Sequence, residues 1–339
     1  MVGMYNIFVD PVTGRTRTLD ETLIKEMDDV VSNSIFSVLI FPNDQWTNYF
    51  DFATDRYKGG LTFFARNSLQ VFPFDRNAFT ESINKFKVKP SLLAWYPADE
   101  IDGSSCNPMR LAEFYDLLTD LDPDHPSFLL WADPHRIRNY DLDRITDIVA
   151  IEPYCIFKAE HGGRHIETVY NEVRLAVNSA KNKKPVWTAI QVYGNYHIYR
   201  TPTAEELRGM IYSAICAGSR GVLFYAYTMG TLWHLPEHEE LLSAVLYESK
   251  RIKQFEYILV LPEFSVISDI PEIFAAGRDS GKQKYIIAVN PNDEPHTCSF
   301  NINSRETINL FTGKKLTQQK GKVEYYFSPH EAAVFQISQ

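Results

Sequence analysis

Cysteine is scarce. The chain has four in 339 residues, Cys106, Cys155, Cys216 and Cys298, and no two stand at the spacing of a zinc ribbon or a redox pair. They read as free thiols. No apolar run approaches the roughly 18 residues that a membrane-spanning helix needs. Positive charge is in deficit, 34 Lys and Arg against 43 Asp and Glu, for a formal net charge of −9. That balance argues against sequence-independent binding of nucleic acid or of an anionic membrane. The phosphate-binding glycine patterns are missing, as are a Gly-x-Ser-x-Gly elbow and an evident Cys/His nucleophile pair. No signal peptide opens the chain, which begins on an apparent strand, Tyr5 to Val9. The protein is therefore expected to be intracellular, or to have lost a leader or an upstream domain.

What is present is a large apolar share, 45%, with 14% aromatic residues, enough for a sizeable core. Strand-like runs alternate with segments of helical period. Strands are expected at about 4–10, Phe36–Phe41, Leu61–Ala65, Ser91–Tyr96, Ser127–Trp131, Ile148–Ile151, Val186–Val192 and Gly221–Tyr227. Helices are expected near 18–33, 45–58, 76–87, 108–121, 136–143, 164–181, 203–218 and 238–254, the seventh opening on a capping box at Thr203 and Glu206. Crossovers of this length suit parallel strands, and eight such units over ~250 residues match a TIM barrel. From about residue 259 helical periodicity stops. Short alternating runs at Leu259–Leu261, Phe274, Tyr285–Val289, Thr297–Phe300, Ile308–Phe311, Val323–Phe327 and Ala333–Ile337 read as a β-sandwich. The expected organisation is a (β/α)8 TIM barrel over 1–258 and a small all-β sandwich over 259–339.

Catalytic residues of such barrels sit at the C-terminal ends of strands. The fourth strand leads from Trp95 into Asp99 and Glu100, the fifth from Trp131 into Asp133, and the sixth into Glu152 and Tyr154. The seventh carries Gln191 and Tyr193, the eighth Tyr225 and Tyr227, with Trp233 beyond, and the first offers Asn6 and Asp10. A single acid after a strand is commonly a helix cap. Two adjacent acids at one tip repel each other and need a reason. Carboxylates, amides and aromatics on one rim suit a neutral polyhydroxylated ligand. His234, Glu237 and His238 match an H-x-x-E-H metal pattern, but Pro236 lies between the histidines and opposes a shared helical face. No metal or cofactor is expected.

Four segments carry a resemblance: Leu93–Glu100 (LAWYPADE), Leu121–Pro126 (LDPDHP), Asp147–Tyr154 (DIVAIEPY), and Arg200–Glu206 (RTPTAEE) through Gly221–Tyr225 (GVLFY). Together they resemble TIM-barrel glycoside hydrolases of the clan A type, found especially in bacterial carbohydrate utilisation. The resemblance covers most of 1–258, and the trailing sandwich looks like the accessory domain that often follows such barrels. It implies that Glu100 is the acid/base. The chain departs from the pattern in having Asp99 before that Glu, where Asn is usual, and no acid after the seventh strand, where Gln191 stands instead of a nucleophile. Glu152 is the substitute by position and Asp133 the reserve. An Asp–Glu pair after the fourth strand also resembles hexosaminidases that use the substrate's acetamido group.

The expected function is hydrolysis of a glycosidic bond in an oligo- or polysaccharide. Glu100, raised by burial and by Asp99, is the expected acid at the floor of the cleft. Asn6, Trp95, Trp131, Tyr154, Gln191, Tyr193, Tyr225, Tyr227 and Trp233 are the sugar-binding candidates. The rivals are a non-catalytic glycan-binding barrel and a substrate-assisted hexosaminidase using Asp99 and Glu100.

Overall fold

The computed structural model describes residues 2–35, 37–40, 46–58, 62–66, 75–103, 106–181, 183–194, 196–302, 304–319 and 321–338. Strands and helices alternate through the first three quarters of the chain. They are β1 (Val2–Tyr5), α1 (Glu21–Ser32), β2 (Ser37–Ile40), α2 (Trp46–Tyr57), β3 (Thr62–Arg66), α3 (Arg76–Phe86), β4 (Leu92–Ala98) and α4 (Pro108–Leu121). Then come β5 (Ser127–Trp131), β6 (Ile148–Ile151), α5 (Glu167–Ser179), β7 (Val186–Gln191), α6 (Ala204–Ala217), β8 (Gly221–Tyr225) and α7 (Glu239–Leu259). Each strand pairs in parallel with the next, and β8 pairs back with β1, Val2 beside Val222 and Met4 beside Phe224. This is an α/β barrel.

Strand period decides what faces the middle. Tyr5, Ala94, Tyr96, Phe128, Leu130, Ala150, Trp187, Ala189 and Leu223 fill the interior. Their neighbours Met4, Trp95, Leu129, Trp131, Val149 and Ile190 point outward and pack under the helices. Trp95 and Trp131 are therefore core residues on the wrong face for a ligand.

Several elements differ from expectation for local reasons. β1 ends at Tyr5 because Asn6 takes a left-handed φ of 64°. Asp10 then folds a turn, accepting hydrogen bonds from the Val12 and Thr13 amides. Between β5 and β6 there is no α-helix but two short 3-10 turns, Pro134–Asn139 and Leu142–Arg144. α7 runs on through Leu259, so the apolar stretch at 259–261 closes a helix and is not a strand. The capping box of α6 forms as written: the Thr203 hydroxyl accepts from the Glu206 amide at 3.2 Å, and Glu206 accepts from the Thr203 amide at 2.9 Å. Gly218 closes the helix at φ 108°.

The remaining strands are antiparallel: β9 (Glu263–Phe264), β10 (Phe274–Asp279), β11 (Gln283–Val289), β12 (His296–Asn301), β13 (Glu306–Asn309), β14 (Lys315–Leu316), β15 (Gln318–Gln319), β16 (Lys322–Phe327) and β17 (Ala332–Ser338). They make a six-stranded sheet in the order β14-β13-β17-β11-β10-β9 and a three-stranded sheet in the order β12-β16-β15. Ile286, Ala288, Phe335 and Ile337 of the larger sheet face Cys298, Phe300, Val323 and Phe327 of the smaller. The alternate residues Tyr285, Ile287, Val289 and Val334 join the barrel's core. The larger sheet is thus buried on both faces. Cys216 of α6 sits at this junction, its thiol 3.5 Å from the Ile287 carbonyl. All four cysteines are free and buried.

Candidate functional site

The C-terminal strand tips converge on a cavity of about 480 Å³. Its wall is made by Tyr5 after β1, Asp99 and Glu100 after β4, Ala132 after β5, Glu152 and Tyr154 after β6, and Tyr193, Tyr196 and Tyr199 after β7. Tyr225, Met229 and, from α5, Glu172 complete it. A larger cavity of about 640 Å³ lies at the opposite end of the barrel, between Val2, Leu93, Val222 and the last turns of α7. That wall is largely apolar, and among the described residues its charged groups are Arg220, Lys253 and Glu256.

Asp99 and Glu100 sit where β4 gives out. Tyr96, facing the barrel interior, donates its hydroxyl to Asp99. Glu100 adopts φ 41°, a left-handed conformation that costs a non-glycine residue about 1–3 kcal/mol and is found mostly where the surroundings require it. Glu100 is exposed at the rim, and Asp99 and Glu152 are both less exposed, so Glu100 is not at the floor of the cavity.

Among the strand-tip carboxyls lining the cavity, Glu152 is the one whose surroundings raise it. Burial, then the charges of Asp99 and Glu100, push it well above the usual carboxylate range. The Tyr154 hydroxyl is buried and makes no hydrogen bond of ordinary length, yet it still eases the Glu152 charge. A burial-raised acid was expected at Glu100; the raised carboxyl at the strand tips is Glu152.

A raised carboxyl weakens the fold as pH rises from the ordinary value near 4.5 toward its own higher value, because the folded state then binds more protons than the unfolded one. Replacing it with an amide removes that penalty. Glu152→Gln is accordingly expected to melt at a higher temperature than wild type at neutral pH, with the gain vanishing at pH values below about 4.5. Melting curves of both proteins across pH check this.

The aromatic wall is tyrosine. Tyr154 stacks on Tyr225 at 5.8 Å and meets Tyr193 edge-on at 5.3 Å. Tyr199 meets Tyr193 edge-on at 5.3 Å, and Tyr5 meets Tyr225 at 5.4 Å. Tyr154, Tyr196, Tyr199 and Tyr225 are each partly exposed. Burial lifts the Tyr154, Tyr193 and Tyr199 hydroxyls above their usual range, so these groups stay neutral and are hydrogen-bonding partners, not phenolate nucleophiles.

Six expected binding residues do not reach the cavity. Trp95 is fully buried and donates to Asp122 at 2.8 Å. Trp131 is fully buried beside Tyr140. Trp233 is buried, stacked on His238 at 3.9 Å and bonded to the Ala226 carbonyl at 3.1 Å. Tyr227 is buried against His234, and Asn6 is buried in the turn after β1, where its backbone carbonyl accepts from the Val9 amide at 3.3 Å and its side-chain oxygen has no hydrogen-bond partner among the described residues. Trp187 lies inside the barrel, and the Trp46 side chain falls outside the described residues. No tryptophan side chain among the described residues is therefore a sugar platform.

Gln191 is fully buried and ties loops together. Its carbonyl accepts from the Ile156 amide at 3.1 Å, and its amide donates to the Tyr193 and Arg200 carbonyls at 3.1 and 3.2 Å. Asp133, the reserve acid, caps the following 3-10 turn through the His135 amide at 2.9 Å and pairs with Arg136. It is a helix cap, as single acids after strands commonly are.

His234 and His238 flank a 3-10 turn, Leu235–Glu237. His234 bonds Thr228 and His238 stacks on Trp233. Among the described residues no cluster of three His, Cys, Asp or Glu could hold a metal ion.

Glu172, Tyr5, Tyr196 and Tyr199 were not foreseen. The tyrosines at 193, 196 and 199 recur every third residue in the loop after β7, a signal available in the sequence. Glu172 reads as one polar position of an amphipathic helix and gave none.

No family model matches the chain, and no curated protein does. Solved structures do. A maltogenic α-amylase from Thermotoga neapolitana superposes with a TM-score of 0.68 at 9% identity, over 100% of this chain and 98% of its own. An Anoxybacillus α-amylase gives 0.66 at 11% identity, over 99% and 97%. A GH30 endoxylanase from Clostridium papyrosolvens gives 0.61 at 10% identity, over 100% and 95%. At such identities the likeness is one of fold: the whole chain, barrel and antiparallel domain together, has the architecture of these glycoside hydrolases.

Proposed function

We propose that the protein is a glycoside hydrolase, with a catalytic barrel over 1–258 and an accessory β-sandwich over 259–339. The observation that carries the reading is that Glu100, Glu152 and Asp99 line one cavity at the mouth of the barrel, within a tyrosine wall, with Glu152 raised by burial and by the charges of the other two. Glu152 enters protonated and acts as the general acid on the leaving-group oxygen. Glu100 is the partner carboxylate, and Asp99, held by Tyr96, supports the charge that develops at the anomeric carbon. The tyrosines stack on the sugar's C–H faces and bond its hydroxyls.

Glu100 lies near enough for its charge to act on Glu152, which suits the separation of about 5–5.5 Å used in retention better than the roughly 6.5–9.5 Å that leaves room for a water in inversion. Glu100 then attacks the anomeric carbon, and Glu152, once deprotonated, activates the water that releases the sugar. NMR of the first-formed product on an aryl glycoside is expected to show the substrate's own anomeric configuration. The opposite anomer would exclude this assignment of Glu100.

One feature favours the non-catalytic glycan-binding reading instead, Gln191 in place of an acid after β7, whereas the buried tryptophans count against both carbohydrate readings alike. Binding of sugar with no turnover of any α- or β-glycoside would support it. The substrate-assisted reading draws on the placement of Asp99 in the cavity, and it requires hydrolysis confined to N-acetylated sugars.

A further inference from the structure

Asp99 has a partner inside the barrel. The Tyr96 side chain is fully buried among the residues that fill the interior, and its hydroxyl donates to the Asp99 carboxylate, which lines the cavity. Tyr96 stands on the inward face of β4, and Asp99 follows where that strand ends, so the tyrosine reaches the tip of its own strand. The ring is wedged in place. It meets Phe128 edge-on at 4.9 Å, and Phe128 packs on Trp187 at 5.8 Å. Trp187 comes so close to β8 that a Cβ on Gly221 would fall 2.6 Å from its indole, so the glycine at that position makes room for the stack. A close-packed ring holds its hydroxyl at a fixed point, and a hydrogen bond to a carboxylate is among the stronger ones.

Asp99 is in turn near enough for its charge to act on Glu152, and it acts more strongly than Glu100 does. The other titratable groups about Glu152 are its neighbour Tyr154 and, after β7, Tyr193 and Tyr199. Glu172 of α5 lines the same cavity.

We infer that Tyr96 is a positioning residue for the hydrolysis: from inside the barrel it fixes the Asp99 carboxylate toward Glu152. The inference rests on the reading of Glu152 as general acid and deepens it. Asp99 held there keeps Glu152 protonated to higher pH, because a like charge opposes its ionisation. Released from Tyr96, the Asp99 carboxylate is free to turn toward water, and its effect on that proton weakens. Tyr96 exerts its role through Asp99 alone.

The test is infrared difference spectroscopy of the protonated-carboxyl band across pH, with the Glu152 contribution identified by its absence in Glu152→Gln. Asp99→Asn is expected to move the Glu152 titration toward acid by about one pH unit or more. Tyr96→Phe, which keeps the ring and removes the hydroxyl, should move it the same way by a smaller amount. In a variant that already carries Asp99→Asn, Tyr96→Phe should add nothing. A tyrosine that only supported the barrel would lower stability and leave the titration in place. The inference is overturned if Asp99→Asn or Tyr96→Phe leaves Glu152 titrating as in wild type. It is also overturned if Tyr96→Phe shifts the titration as far with Asp99→Asn present as without it. Should Tyr96→Phe misfold, Phe128→Leu decides, since it loosens the seat of the ring and keeps the hydroxyl. A shift toward acid that disappears with Asp99→Asn supports the inference, and no shift overturns it. The spectra need no turnover, so the two failures separate. Titrations as expected in a protein that hydrolyses no glycoside refute only the hydrolase reading. Hydrolysis, with Glu152 titrating identically in wild type and Tyr96→Phe, refutes only this one.

Discussion

Glu152→Gln is expected to lower kcat by about 10²–10⁴-fold on a glycoside with a poor leaving group, and by far less on an activated aryl glycoside. The substitution keeps the shape of the side chain and removes its proton. The leaving oxygen needs that proton only when the departing alkoxide is strongly basic, so the loss should scale with leaving-group basicity. Glu100→Gln should behave otherwise. A nucleophile or base is required whatever the leaving group, and its loss should depress both substrates together. The sequence alone suggested the reverse assignment, with Glu100 as acid. Leaving-group dependence in Glu100→Gln and none in Glu152→Gln would restore it. The structural ground for preferring Glu152 is its combination of burial and two carboxylate neighbours, the environment that holds a carboxylic acid in its neutral form.

Glu206→Ala is expected to be the most damaging single change to the fold outside the apolar core. The Glu206 side chain is 2% exposed and is gripped by Arg164 at 2.5 Å and by Arg200 at 2.6 Å, while capping α6 through the Thr203 amide. Arg164 also pairs with Asp293 in the loop after β11, so the cluster joins barrel to sandwich. Burial alone would raise the Glu206 carboxyl, but hydrogen bonds from Arg200, the Thr203 amide and Arg164 outweigh it and hold the group at about 2. Removing it takes the buried carboxylate from both guanidinium groups, leaving Arg164 to Asp293 and Arg200 to the Thr201 carbonyl. Breaking a buried pair typically costs about 3–5 kcal/mol, and the lower end applies because Arg200 is about a third exposed and its charge is screened.

The sign with pH follows from the lowered value. The stabilisation is present in full above the ordinary carboxyl value near 4.5 and is lost as pH falls toward 2. Denaturation midpoints of wild type and variant should therefore converge on acidification. An equal gap at every pH would mean that packing, not the ion cluster, sets the loss.

The barrel was legible because its signals are local and repeated. Apolar runs of strand length, the Gly218 stop and the Thr203 capping box each act over a few residues. The strand tips were legible for the same reason, which is how Asp99, Glu100, Glu152, Tyr154, Tyr193 and Tyr225 came to be named. What failed was the direction in which side chains point. Trp95 and Trp131 stand on strands of continuous apolar sequence, where both faces are buried and composition does not show which residue faces out. Gln191 looked like a ligand-binding amide because its partners are backbone groups of loops distant in sequence. Asp133 was ambiguous in the way any acid before a helical turn is. Glu172 reaches the cavity through the packing of α5, and no pattern in the chain encodes that contact.

The central claim is that Glu152 supplies a proton to a departing sugar oxygen. The pH dependence of kcat/KM tests it most directly, because it reports ionisations of the free enzyme through the first irreversible step. The account predicts that, on a glycoside with a poor leaving group, kcat/KM falls on the alkaline side as Glu152 loses its proton. On an activated aryl glycoside that limb should flatten, and Glu152→Gln should lack it. An alkaline limb of the same shape on both substrates and in Glu152→Gln would contradict the account, as would the absence of turnover on every α- and β-glycoside tried.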